Sequence, residues 1–128
     1  MELLLDTHAF LWLRSEPEKI SQTVLEAYYN VNNDIFLSIV SVWEIQIKHQ
    51  LGKLELNVPL QQLIDTQIQQ NGLRILPISP DHVYALNTIP FYHKDPFDRL
   101  LIVQAKLENL QLVSVDGVFK QYEVELFW

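Results

Sequence analysis

Short apolar runs alternate with longer helix-patterned stretches along the whole chain, and no other feature narrows the fold so far. Glu2-Leu3-Leu4-Leu5 is the first such run. Ile35-Phe36-Leu37, Arg74 to Ile78, Gln111 to Val115 and a segment near Val124 to Phe127 follow. Strands linked through helices come to lie side by side in one direction, and runs apolar on both faces need cover on both. The expectation is an α/β protein, a three-layer α/β/α sandwich around a mostly parallel central sheet. No internal repeat, linker or low-complexity tract interrupts the pattern, so residues 1–128 are expected to form one domain.

Local signals divide the intervening stretches. Phe10 to Leu13 are helical in character, and Pro17 breaks that helix. Ser21 caps a helix running to about Asn30, and Asn32-Asn33-Asp34 is a turn. Ser41 is expected to cap the next helix, in which Trp43, Ile47 and Leu51 recur as an apolar stripe, with Gly52 as the stop. Pro59 starts a helix through Leu60, Leu63, Ile64 and Ile68 that closes at Asn71-Gly72. Pro80 opens a short helix to about Asn87, and Pro90 to Lys94 is a loop. Asp95-Pro96-Phe97-Asp98 opens a strongly apolar helix, Leu100 to Leu110. Asp116-Gly117 ends the fourth strand.

Composition removes several chemistries. The chain has no cysteine, which excludes a disulfide framework, a Cys-based zinc site and a thiol nucleophile. Asp6 interrupts the first apolar stretch, no run reaches the length of a membrane span, and the amino terminus lacks the basic-then-apolar order of a secretory signal. A soluble cytoplasmic protein with no membrane partner is expected. A net charge of −7 argues against a nucleic-acid partner, because phosphate binding normally needs a basic face. Setting Asp6, Glu44, Asp98 and Asp116 aside as one pocket leaves twelve acids against 9 bases, and divalent ions would neutralise that pocket further.

Taken singly, each acid has a structural explanation. Asp6 follows a strand and precedes a helix, where a capping carboxylate is common. Glu44 and Lys48 stand at i, i+4 in the order that favours an ion pair. Asp95 suits the N-cap position, Pro96 the first helical position, and Asp98 the positive end of the helix dipole. Asp116-Gly117 is a standard turn pair.

Their placement adds a second reading. Asp6 and Asp116 lie at the carboxyl ends of expected strands, Asp98 starts the helix leading into the strand of Asp116, and Glu44 is early in the helix after the second strand. In an open parallel sheet those positions gather at one edge, where ligands bind. Two carboxylates about 5 Å apart repel by roughly 3 kcal/mol at an effective dielectric near 20, so a cluster calls for protons or cations. Hard oxygen donors without His or Cys select Mg²⁺ or Mn²⁺, which can activate water for phosphodiester hydrolysis.

Leu3-Leu4-Leu5-Asp6-Thr7, Ser41-Val42-Trp43-Glu44-Ile45, Asp95-Pro96-Phe97-Asp98-Arg99-Leu100-Leu101 and Leu112-Val113-Ser114-Val115-Asp116 occur in an order and rough spacing that resembles a PIN domain. The resemblance is strongest to VapC-type toxins of toxin–antitoxin pairs and spans essentially the whole chain. It implies a Mg²⁺- or Mn²⁺-dependent endoribonuclease acting on tRNA or other structured RNA, a homodimer, and inhibition by a cognate antitoxin. It carries the family's acids onto Asp6, Glu44, Asp98 and Asp116, with Asp95 as an additional candidate metal ligand. The chain departs from the family pattern at Ile102 and Val103, where alanines are more usual, and in the extra Asp95.

By the same resemblance Thr7 and Ser114 would orient Asp6 and Asp116. Lys48, Lys53, Lys94 and Arg99 are the basic candidates for RNA phosphates, while Tyr92 and Trp12 are candidates for stacking a base. His93, two residues before a helix cap, reads as incidental. The alternative is a catalytically inactive PIN-like module that binds protein or RNA. A phosphoaspartate protein is a weaker rival, because Asp6 is followed by Thr7-His8 rather than by a second acid.

Overall fold

The computed structural model describes residues 1–128 and contains five strands: β1 (Glu2–Leu5), β2 (Asp34–Ser38), β3 (Arg74–Leu76), β4 (Gln111–Val113) and β5 (Leu126–Phe127). They form one sheet in the order β3-β2-β1-β4-β5, and every pairing is parallel. Six α-helices accompany it: α1 (Thr7–Ser15), α2 (Gln22–Tyr29), α3 (Ile39–Gln50), α4 (Leu60–Asn71), α5 (Pro80–Ala85) and α6 (Pro96–Leu107). The α/β sandwich expected from the alternation of runs is the architecture found.

Side chains of a strand alternate between faces, and β1 shows why its three leucines follow one another without a polar residue between them. Leu3 and Leu5 enter one core with Phe10 and Leu13 of α1, Val24 and Tyr28 of α2, and Leu63 and Ile64 of α4. Leu4 enters the opposite core with Leu101, Ile102, Val103 and Ala105 of α6. Helix α3 serves both, sending Ile45 to the first core and Val40 to the second. Leu4 is fully buried, and truncating such a side chain to Ala costs about 2–5 kcal/mol.

Two expectations about α3 are corrected. Its cap is Ser38, whose Oγ accepts from the backbone N–H of Val40 at 3.0 Å, and not Ser41. Strand β2 runs straight into the helix, so Ser41 falls inside it and is buried. The stripe through Trp43 and Leu51 is exposed, with Trp43 at 56%, while the buried face carries Val40, Ser41, Glu44 and Ile45. Apolar residues recur at helical spacing on both sides of α3, and the polar Ser41 and Glu44 disguise the inner one.

Both outermost strands are short. Strand β3 has three residues and is followed directly by Pro77, which has no N–H for a ladder. Its Arg74 pairs with Asp34 of β2 at 3.1 Å. Strand β5 has two residues.

The end of α4 gives a test of the backbone. Gly72 closes that helix at φ +67, in the left-handed region, whereas Gly117 has no such φ and open space around its missing Cβ. Gly72→Ala should therefore lose about 1–2 kcal/mol. Gly117→Ala should stay within about 0.5 kcal/mol of the parent or gain slightly. Denaturant unfolding of both variants checks the contrast.

Candidate active site

Strand order reverses direction between β1 and β4: the chain builds outward through β2 and β3 on one side, then returns to β4 and β5 on the other. A crevice at the carboxyl ends of the strands opens at such a reversal. Asp6 follows β1, and its backbone N–H bonds Val113 O at the end of β4 at 3.1 Å. Asp116 follows three residues after β4. Two of the four acids singled out from sequence thus flank the switch point.

Asp6 is 5% exposed and caps α1, its Oδ1 accepting from the N–H of Ala9 at 2.7 Å. Burial raises its pKa above the ordinary aspartate range. The Ser114 hydroxyl, the Ala9 N–H and His8 oppose that rise, and Asp116 adds to it. Asp116 is exposed and caps the 3-10 turn that begins at Gly117, accepting from Val118 N at 3.0 Å. Ser114 Oγ accepts from the Asp116 backbone N–H at 3.1 Å. Ser114 therefore bonds the backbone of Asp116 and not its carboxylate.

Glu44 is 4% exposed, an uncommon position for an acid on a helix. Thr7 Oγ1 lies 2.7 Å from Glu44 Oε1 and 2.9 Å from Ser41 Oγ, joining the start of α1 to the inner face of α3. The other Glu44 oxygen is held by Lys48. Thr7 thus orients Glu44, not Asp6 as the resemblance implied. The Glu44–Lys48 pair expected from the i, i+4 spacing is formed, with its carboxylate inside the protein.

Asp95 caps α6, with Oδ1 accepting from Phe97 N at 2.9 Å and Asp98 N at 3.1 Å. Asp98, in the first turn of the helix, is partly buried, and its Oδ2 lies 3.2 Å from His93 Nε2. Burial raises the Asp98 pKa to about 6, with Asp95 and Glu44 adding to the rise and His93 opposing it. Phe97 and Trp43 pack edge to face at 5.4 Å, bringing the start of α6 against α3.

The acids thus fall into two neighbouring sets, Asp6 with Asp116, and Asp98 with Glu44 and Asp95. As the side chains stand, no three of them are close enough together to share an ion. The donors are all carboxylate oxygens, and Asp6 and Asp98 are both disfavoured as anions by burial and like charge. That donor set fits a hard divalent cation such as Mg²⁺ or Mn²⁺.

Other residues singled out from sequence separate clearly. Arg99 is 4% exposed and donates to Pro90 O at 2.7 Å, so it does not face solvent as a phosphate contact would. Lys48 is committed to Glu44, whereas Lys53 and Lys94 are exposed. Trp12 is half-buried against Trp128 at 6.3 Å, and Tyr92 is exposed beside Tyr122. His93, read from sequence as incidental, lies against Asp98. Only its nearness to Asp98, five positions away, marked it.

A family model of the PIN domain matches residues 3–125. No curated protein matches the sequence. Many solved structures are similar, and three of them illustrate the likeness. VapBC2 from Rickettsia felis, bound to a DNA fragment from its promoter, is 19% identical with a TM-score of 0.73, over 98% of this chain and 96% of that one. FitAcB from Neisseria gonorrhoeae is 22% identical with a TM-score of 0.67, over 100% of this chain and 97% of that one. A toxin–antitoxin complex from Klebsiella pneumoniae is 21% identical with a TM-score of 0.60, over 91% of this chain and 89% of that one.

The Asp98 pKa sets a pH dependence of stability in metal-free buffer. Its folded value, about 6, lies above the unfolded value of 3.8, so between them the folded state holds more protons. Stability contributed by this group is present at low pH and is lost as pH rises from about 4 to about 6. Asp98→Asn should escape that loss. Its melting temperature relative to the parent should climb across this window and level off above it, as followed by circular dichroism in chelator.

Proposed function

The chain belongs to the PIN-domain family, and from that premise we propose that it is a Mg²⁺- or Mn²⁺-dependent endoribonuclease, the toxin of a VapC-type toxin–antitoxin pair. The observation that carries this reading is the position of Asp6 and Asp116 on either side of the strand-order reversal, with Glu44 buried beside the start of α1. The metal ligands in this reading are Asp6, Glu44, Asp98 and Asp116, direct or through water. Asp95 is assigned to helix capping, because its Oδ1 already accepts two backbone N–H groups.

Each side chain then has a physical task. Asp6 is aimed by the N–H of Ala9. Glu44 is held from one side by Thr7 and from the other by Lys48, which fixes its rotamer. Asp98 is tied at one oxygen by His93. A bound Mg²⁺ or Mn²⁺ supplies Lewis acidity toward a phosphodiester oxygen and makes water a better nucleophile near neutral pH. No side chain of this set is required as a covalent nucleophile. Exposed Lys53 and Lys94 are the remaining cations for RNA phosphates from the sequence-derived set.

The partners in this reading are tRNA or another structured RNA, a cognate antitoxin that blocks the site, and a second copy of the chain. Support for the antitoxin is the likeness in fold to the Klebsiella pneumoniae toxin–antitoxin complex.

Purified protein with Mn²⁺ should cleave structured RNA and stop in chelator. Asp6→Asn, Asp98→Asn and Asp116→Asn should each lower the rate by about a hundred-fold or more, close to 3 kcal/mol of transition-state stabilisation. Asp95→Asn should keep its rate, since Asn caps a helix about as well as Asp. Full cleavage by folded Asp6→Asn or Asp116→Asn would falsify the reading. Loss of cleavage in Asp95→Asn would add that residue to the ligands.

A further inference from the structure

We propose that His93 is a positioning residue for Asp98, locked in a single tautomer by Tyr122 and the buried guanidinium of Arg99. This rests on the reading of Asp98 as a metal ligand.

Arg99 has no carboxylate partner inside the protein. Its guanidinium donates to Pro90 O at 2.7 Å, Leu86 O at 3.5 Å and the Tyr122 hydroxyl at 3.3 Å, with the Phe91 ring at 3.9 Å. A guanidinium is always charged and can only donate, so the Tyr122 oxygen accepts from it. The backbone N–H of His93 reaches the same oxygen at 3.3 Å. With its accepting side taken twice, Tyr122 has one proton to give. The shortest contact of its oxygen is His93 Nδ1, at 2.7 Å.

The tautomer follows by elimination. An Nδ1–H would point at an oxygen already receiving two donors, so Nδ1 accepts and the ring proton sits on Nε2. That nitrogen lies 3.2 Å from Asp98 Oδ2 and donates to it. Donation therefore runs one way, from Arg99 through Tyr122 and His93 to Asp98. Successive helix residues project about 100° apart, so Asp98 and Arg99 are joined through this external route and not directly. Tyr122 is 5% exposed and its ring packs on His93 at 5.4 Å and on Tyr92 at 5.1 Å, which holds the route in place. A short carboxylate near a helix start can rotate about its last bond. Tying one oxygen stops that rotation and presents the other, as outer-sphere partners do for metal ligands.

The test separates orientation from packing. Metal-free full-length protein with ¹⁵N-labelled histidine, examined above neutral pH by long-range ¹⁵N–¹H correlation, should show His93 with its proton on Nε2. Tyr122→Phe should shift it toward a mixture of tautomers. Mn²⁺ affinity, measured by electron paramagnetic resonance titration, should fall ten- to about a hundred-fold in His93→Phe, which keeps a ring but no donor. His93→Gln, whose amide nitrogen can replace Nε2–H, should stay within about threefold of the parent. A proton on Nδ1 in the parent overturns the network, whether or not His93→Phe folds. Parent-like Mn²⁺ affinity in folded His93→Phe overturns the positioning role. If Asp98→Asn itself binds Mn²⁺ like the parent, the ligand reading has failed, and the positioning role falls with it even where the Nε2–H tautomer is observed.

Discussion

The backbone ladder that pairs β1 in parallel with β2 on one side and β4 on the other determines where the chain leaves the sheet. Because the pairing is parallel, all three strands end at the same edge. Glu2 to Leu5 supply the ladder, and Leu3, Leu4 and Leu5 also bind the two helical layers to it. Acids distant in sequence then need only follow a strand or open a helix to reach that edge. The candidate site is thus a product of strand direction before it is a product of any side-chain contact.

Strand direction delivers the acids, and helix starts aim them. Asp6, Asp95 and Asp116 each accept backbone N–H groups at the beginning of a helix or 3-10 turn. Capping is favourable by about 1 kcal/mol, whereas burial of Asp6 and of Asp98 opposes their ionisation. The carboxylates are therefore held in place by interactions that stabilise the fold while their charges strain it. Functional sites commonly violate the local rules of stability in this way and are supported by the surrounding scaffold. Thr7 and Lys48 are that scaffold around Glu44.

Most of the fold was legible because apolar runs and breakers agreed. Leu3-Leu4-Leu5, Ser21, Gly52, Gly72 and Asp95 all do what their residue types suggest. The start of α3 was not legible, because Ser38 and Ser41 are both good caps and only the length of β2 decides between them. Its inner face was misread because a buried Glu44 looks like a surface residue until Thr7 is seen to satisfy it. At the site, the acids could be picked out from their positions relative to strands and helices. Their partners could not. Pairings such as Thr7 with Glu44 or His93 with Tyr122 link residues about 30 positions or more apart and have no periodic signature. Arg99 was likewise read as a surface cation, since nothing in its neighbours reveals that it turns inward against Pro90 and Phe91.

The shortness of the two outermost strands bears on how such a chain survives at high local concentration. An open sheet with long, flat, apolar margins recruits further strands from other molecules and grows into aggregates. Here one margin is three residues long, carries the charge of Arg74 and stops at Pro77, and the other is two residues long. Neither offers a template long enough for an incoming strand to register on. A chain with 48% apolar residues and a fully parallel sheet is thereby protected against polymerising edge to edge.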